Sequence, residues 1–315
     1  MVIGIDPTVD YPFKCLFGNP KHPEISIHFL NAILSPEPRI SDVTFLETES
    51  RRKTDDDKLL IFDVRALDDQ GRSLNIEMQS TKHVGLPQRL ALYASSMYHG
   101  QFRSGEPYSS LCPAISICVL GAVLFPGVPD FHLDFRLRNC RNNLVLTDDL
   151  QVHIVELPKY NWVRSPPLEA TPLEKWVYFL RNAKDVTPEE ILAQLIDPIF
   201  VEAAGVLEMI AQTPAERAMY EARLKFESDQ AWKIQEALKK GRQEGRQEGL
   251  AAGIAQGISQ GISQGLERGN YLGQIRLLQS LLGRPESPPN ELAAMEIDQL
   301  QKLLTELQAQ LRDRR

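Results

Sequence analysis

Residues 58–79 read KLLIFDVRALDDQGRSLNIEMQ, two short runs of mixed polarity joined by Asp68-Asp69-Gln70-Gly71. Leu59 to Leu67 and Arg72 to Gln79 alternate as strands do, and Gly71 stands where a hairpin turn needs positive φ. Successive strand side chains point to opposite faces, so parity assigns them. Leu60, Phe62, Val64 and Ala66 share one face of the first run, with Asp63 and Arg65 on the other. In the second run Leu74, Ile76 and Met78 oppose Asn75, Glu77 and Gln79. A three-residue loop of Asp69, Gln70 and Gly71 pairs Asp68 with Arg72. That register sets Asp63 directly across from Glu77, with Cβ atoms roughly 4.5–5.5 Å apart. A four-residue loop shifts the register by one and separates the two acids.

Facing carboxylates repel at neutral pH unless a cation lies between them. Hard oxygen ligands suit Mg²⁺, or Mn²⁺ or Ca²⁺ in its place, with water and phosphate completing the shell. Gln79, one pleat beyond Glu77, can orient a water or a phosphate oxygen through its amide. A plainer reading stands beside this one. Any half-solvated antiparallel hairpin has one apolar and one polar face, and Arg65 can pair with Glu77 as an ordinary cross-strand ion pair.

Outward from the hairpin the periodicities alternate between helix and strand. Val9 to Leu34 is helical up to Pro36 and Pro38, and Ile40 to Glu49 reads as a strand. Arg51 to Asp57 is a charged loop. Pro87 to Gly100 is helical, Ile115 to Leu124 is a buried strand, and Phe131 to Leu137 and Val152 to Leu157 alternate again. This order predicts an α/β or α+β domain over residues 1–160. Beyond Pro166-Pro167 the pattern is helical through residues 161–240. Glycine then recurs at every fourth residue from Gly241 to Gly269, within a stretch 241–270 that reads as helix or as linker. Residues 271–315 carry amphipathic leucines around Pro288-Pro289.

The chain has 315 residues, 43% hydrophobic and 24% charged, which excludes wholesale disorder. Its 35 Lys and Arg against 42 Asp and Glu give a formal charge of −7, and residues 1–160 hold 16 against 20. That balance argues against a constitutive polyanion binder, although a bound metal can supply positive charge locally. The four cysteines have no CxxC spacing, and the N-terminus has no signal-peptide pattern. The apolar run Leu111 to Phe125 is too short to span a bilayer. The reading is a cytoplasmic protein with no membrane segment.

Particular strings add a resemblance. YPFKCLFGNP (11–20), ISIHFLNAIL (25–34), the hairpin itself, PQRLALYASSMYHGQFRSGEPYSSLCPAISICVL (87–120) and VHIVELPKY (152–160) follow one another in order. Together they resemble the Rpn family of recombination-promoting nucleases, also described as PD-(D/E)XK nuclease family transposases. The resemblance implies a restriction-endonuclease-like mixed sheet flanked by helices, followed by a helical C-terminal half. It also implies a metal-dependent DNA endonuclease linked to recombination or mobile elements. Asp63 and Glu77 match the acids of the core motif and the metal ligands, and Gln79 stands where the wider superfamily has lysine. Lys14, Lys58 and Arg89 match basic positions suited to phosphate, and Tyr93 matches a supporting position one helical turn from Arg89. Each of these four also reads as an ordinary surface cation or core aromatic. No helix-turn-helix and no third catalytic acid are recognisable, so transposition proper is not expected. The glycine repeat is read either as a self-association helix giving a homodimer or as a flexible linker. The alternative function is a catalytically silent scaffold acting through the helical half.

Overall fold

In the computed structural model the described residues are 1–49, 60–161 and 169–313. Lys58 and the charged run 51–57 lie outside them. Two compact units divide the chain, Met1–Asp229 and Gln230–Arg315.

The hairpin lies within the sheet of the first unit. Strands β2 (Val64–Asp68) and β3 (Ser73–Gln79) pair antiparallel, Val64 with Ile76 through Leu67 with Ser73. The turn closes in the three-residue form. Asp68 N donates to Arg72 O at 3.2 Å, Gly71 N donates to Asp68 O at 3.0 Å, and Gly71 holds φ +75°. Strand β1 (Val43–Phe45) pairs antiparallel with β2. From β3 the chain crosses through helix α3 (Leu86–Gln101) to β4 (Ala114–Leu120), which runs parallel to β3. Strand β6 (Val145–Glu156) is parallel to β4, and β5 (His132–Arg138) closes the far edge antiparallel to β6. Among the described residues the sheet order is β1-β2-β3-β4-β6-β5. Every position of β4 is buried, as a strand covered on both faces requires.

Helix α3 covers one face, where Leu86 and Leu90 meet Cys118, Leu120 and Ile154. The other face carries α1 (Asp10–Phe17), α2 (Pro23–Leu34), α4 (Pro172–Asn182), α5 (Pro188–Gln194) and α6 (Ile199–Gln212). Their aromatic side chains gather around Trp176, fully buried, with Phe200 at 4.8 Å and Phe17 at 5.5 Å between ring centroids. Residues beyond 160 thus share one core with the strands.

Three sequence expectations change in detail. The helical pattern Val9 to Leu34 is two helices, broken where Gly18 ends α1 and the chain turns at Asn19-Pro20. The expected strand Ile40 to Glu49 shrinks to three residues plus an isolated bridge between Glu49 and Ile61. Phe62 does not share a face with Val64. The chain bends at Asp63, and Phe62 packs with Tyr93 and Met97 on the α3 side, while Val64 joins the opposite core.

Helix α7 (Pro214–Leu281) begins in the first unit and contains the whole glycine repeat, so that stretch is helix rather than linker. In the second unit the end of α7, α8 (Pro289–Ala294) and α9 (Ile297–Arg312) bury Ile275, Leu282, Leu292, Leu300, Leu304 and Leu307 together.

Candidate active site

The paired register ends with Val64 opposite Ile76, one residue short of Asp63 and Glu77. Asp63 stands in the bend just before β2 and is fixed there by the neighbouring strand, since Met78 N donates to its Oδ2 at 3.2 Å. Its Oδ1 lies 3.3 Å from Lys14 Nζ on α1, which also reaches Asp10 at 2.9 Å. Glu77 emerges on the α3 face, beside Cys118 of β4. There Arg89 Nη2 of α3 donates to Glu77 Oε2 at 2.8 Å. Arg89 also lies over the Tyr93 ring at 5.6 Å, and the Tyr93 hydroxyl donates to Ile61 O at 3.0 Å.

Burial dominates the electrostatics of this pair. It pushes the Glu77 carboxyl up to about 7, helped by the charge of Asp63 and opposed by Arg89 and Asn75. Burial likewise raises the Asp63 carboxyl, against the pull of Lys14. For the Lys14 ammonium burial acts downward, but Asp63 and Asp10 outweigh it and the net displacement is upward. Tyr93 is raised to about 12, by burial first and then by Glu77. The charge of Asp63 thus reaches Glu77, as a nearby like charge should.

Beside Asp63 opens a cleft of about 170 Å³ whose walls include Asp10, Gln79, Ser80, His83, Arg223 and Glu227. Arg223 and Glu227 come from α7, with Arg223 Nε 3.1 Å from Asp10 and 3.6 Å from Glu227. A roomier cleft of about 520 Å³ lies by α2 and α6, but its imidazole is fully engaged. His28 Nδ1 accepts from Trp176 and its Nε2 meets Asp197. Of the two, the smaller cleft carries the sequence-predicted residues Asp63 and Gln79.

Of the residues read from the sequence, Lys14 meets Asp63, Arg89 meets Glu77 and Tyr93 on the α3 face, and Asp63 and Gln79 line the cleft. Arg65 does not pair with Glu77. It stands across from Asn75 and lies over the Phe62 ring at 5.5 Å. Sequence reasoning missed Asn75, Asp10, Arg223 and Glu227. Asn75 was legible as the position one pleat before Glu77 on the same face. The α7 residues carry no local signal.

Among the described residues no group of three or more His, Cys, Asp and Glu side chains is placed to hold a metal. The fit to a divalent ion rests on two carboxylates, a donor set suited to a hard cation that takes its remaining ligands from water and phosphate. It rests also on Glu77 Oε1, which is buried and has no hydrogen-bond partner. An unsatisfied buried carboxylate oxygen is costly, and an ion would satisfy it.

Comparison with known proteins gives a family match. The family model described as PD-(D/E)XK nuclease family transposase covers residues 7–237. No curated protein and no solved structure matches the chain.

Proposed function

The chain belongs to the PD-(D/E)XK nuclease family of transposases, and from that membership we propose that Asp63, Glu77 and Gln79 form a site for metal-dependent hydrolysis of DNA phosphodiester bonds. The observation that carries the reading is the buried Oε1 of Glu77, without a hydrogen-bond partner, on a carboxyl that feels the charge of Asp63. Asp63 and Glu77 would hold a divalent ion, with Mg²⁺ as first choice and Mn²⁺ or Ca²⁺ as alternatives. Such an ion supplies Lewis acidity toward phosphate and lowers the pKa of an attacking water.

The remaining roles belong to side chains. Gln79 orients a water or a phosphate oxygen, since its amide both donates and accepts. It cannot present the positive charge that a lysine would. Lys14, 3.3 Å from Asp63, supplies that charge from α1 instead. Arg89 offers a forked donor to phosphate oxygens, and Tyr93 supports it from below. Lys58 is assigned to phosphate by resemblance alone.

We assign the chemistry to residues 1–160, support to 161–240, self-association into a homodimer to 241–270, and a small helical module to 271–315. No helix among the described residues is long and apolar enough to cross a membrane. Four unpaired cysteines support a cytoplasmic setting. With 35 basic against 42 acidic residues, DNA engagement is expected to be weak and steeply salt-dependent.

A scaffold without catalysis is the second reading, favoured by the two cations already seated on the two acids. Plasmid nicking with Mg²⁺ or with EDTA, for wild type and Asp63→Ala, separates the two. Metal-dependent nicking lost in the variant supports the nuclease. Equal inactivity of both proteins supports the scaffold.

A further inference from the structure

The two proposed ligands share one arrangement: each already holds a cationic side chain. Lys14 Nζ is 3.3 Å from Asp63 and Arg89 Nη2 is 2.8 Å from Glu77. The acids are mostly buried, at 17% and 2% exposure, whereas each cation is 37% exposed. The cations reach inward from the rim, so they can swing out while the acids stay fixed. We propose that Lys14 and Arg89 are built-in competitors of the divalent cation, each seated on one of its carboxylates, and that both leave for nucleic-acid phosphates when the cation enters. The proposal rests on reading Asp63 and Glu77 as the ligands of that cation.

Charge counting favours the exchange. One divalent ion replaces two monovalent side chains, so the buried acids stay neutralised throughout. The two displaced cations are then free to meet a polyanion. Neither release strands a partner. Asp10, which holds Lys14 at 2.9 Å from its other side, keeps Arg223 at 3.1 Å. The Tyr93 ring, over which Arg89 now lies at 5.6 Å from the centroid, keeps the bond its hydroxyl donates to Ile61 O. Without phosphate the displaced cations have only water to face, and the ion must compete with them. With phosphate present their new contacts repay the displacement. The ion and the nucleic acid therefore assist each other's binding, and thermodynamic linkage makes that assistance reciprocal. A stray metal ion alone would not arm the site.

The test measures Mn²⁺ binding to the full chain by loss of the free-ion paramagnetic resonance signal, with and without a short DNA duplex. Wild type is compared with Lys14→Met, Arg89→Met, Asp63→Ala and Glu77→Ala, each checked for folding by circular dichroism. In the absence of DNA, Lys14→Met is expected to bind Mn²⁺ roughly two- to fivefold more tightly, the worth of a half-exposed ion pair. Arg89→Met is expected to shift affinity in the same direction. DNA should tighten Mn²⁺ binding in wild type and do so much less in either variant. Unchanged or weaker Mn²⁺ binding in Lys14→Met, with binding abolished in the acid variants, overturns the competition and leaves the metal reading standing. Binding that survives both Asp63→Ala and Glu77→Ala overturns the metal reading and this proposal with it. If Arg89→Met does not fold, Lys14→Met, altered at a half-exposed position, decides the question alone.

Discussion

Glu77 is 2% exposed and still carries an oxygen without a partner, and its titration should be visible in the stability of the whole chain. Burial first, and then Asp63, push its carboxyl up to about 7, with Arg89 and Asn75 pulling the other way. The folded state therefore holds the proton more tightly than the unfolded chain does. Stability from this group is fully present below the ordinary carboxylate range and is lost as pH rises through about 7. Glu77→Gln removes the titration. Urea unfolding between about pH 5 and pH 8 should show wild type losing on the order of 2 kcal/mol relative to Glu77→Gln. Parallel curves for the two proteins would remove the electrostatic basis of the site. Lys14 and Gln79 give a second expectation at this scale. If Lys14 supplies the positive charge that Gln79 lacks, Lys14→Met should slow DNA nicking by about 10²–10³-fold, as loss of one transition-state donor does. Adding Gln79→Lys should restore part of that rate. Unaltered nicking by Lys14→Met would take the ammonium out of the chemistry.

Among the elements, the end of β3 is held more tightly than its sequence suggests. Gly121, just after β4, donates its N–H to Gln79 O at 2.8 Å, and a Cβ there would stand 2.8 Å from Ser80 O. Both partners are backbone and cannot rotate away. Gly121→Ala is expected to destabilise the fold by about 1–3 kcal/mol through overpacking, measured by thermal melting, and to lower nicking because Gln79 and Ser80 border the cleft. A variant with wild-type melting would mean the β3 end yields freely. The hairpin was legible because local chemistry fixes it. Gly71 at positive φ sets a three-residue turn, and the turn sets the register as far as Val64 and Ile76. The bend at Asp63 was not legible, because parity assumes a continuous pleat and Phe62 leaves it for the aromatic ring of Tyr93, 4.9 Å away. The same limit hid Arg223 and Glu227. Their place beside Asp10 is set by the tertiary path of α7, and no local period encodes a pairing between residues so far apart. Lys14 and Arg89 entered as basic positions of a resemblance. Only the packing of α1 and α3 against the sheet reveals which acid each one meets.

On the scale of the whole molecule, α7 sets a stability problem within its own length. From Gly241 through Gly273 a glycine stands at every fourth position, and a Cβ added at any of them would meet nothing within 4 Å. Glycine costs about 0.8–1 kcal/mol relative to alanine inside a helix, so the repeat costs several kcal/mol that this chain's own contacts do not offset. The residues following five of these glycines are Leu250, Ile254, Ile258, Ile262 and Leu266, each more than half exposed. On a helix the i, i+4 rows are the natural ridges and grooves. Here a glycine groove runs alongside an Ile/Leu ridge, so one surface carries both halves of a complementary fit. A second copy of the same helix would satisfy it, ridge into groove, and the Arg242/Arg246 and Glu244/Glu248 rows would provide matching charges of both signs. Alanine substitution separates this arrangement from a lone helix by sign. In an isolated exposed helix, Gly253→Ala with Gly257→Ala raises helicity and leaves the sedimentation behaviour alone. At a closely packed helix pair the added methyl groups hold the backbones apart and weaken association. Sedimentation equilibrium of the full chain is therefore expected to show a self-associating species whose dissociation constant rises at least about tenfold in the double variant, equivalent to about 1.4 kcal/mol. A monomeric wild type, or a double variant that associates as before with greater helicity, would reduce the repeat to a solvated rod.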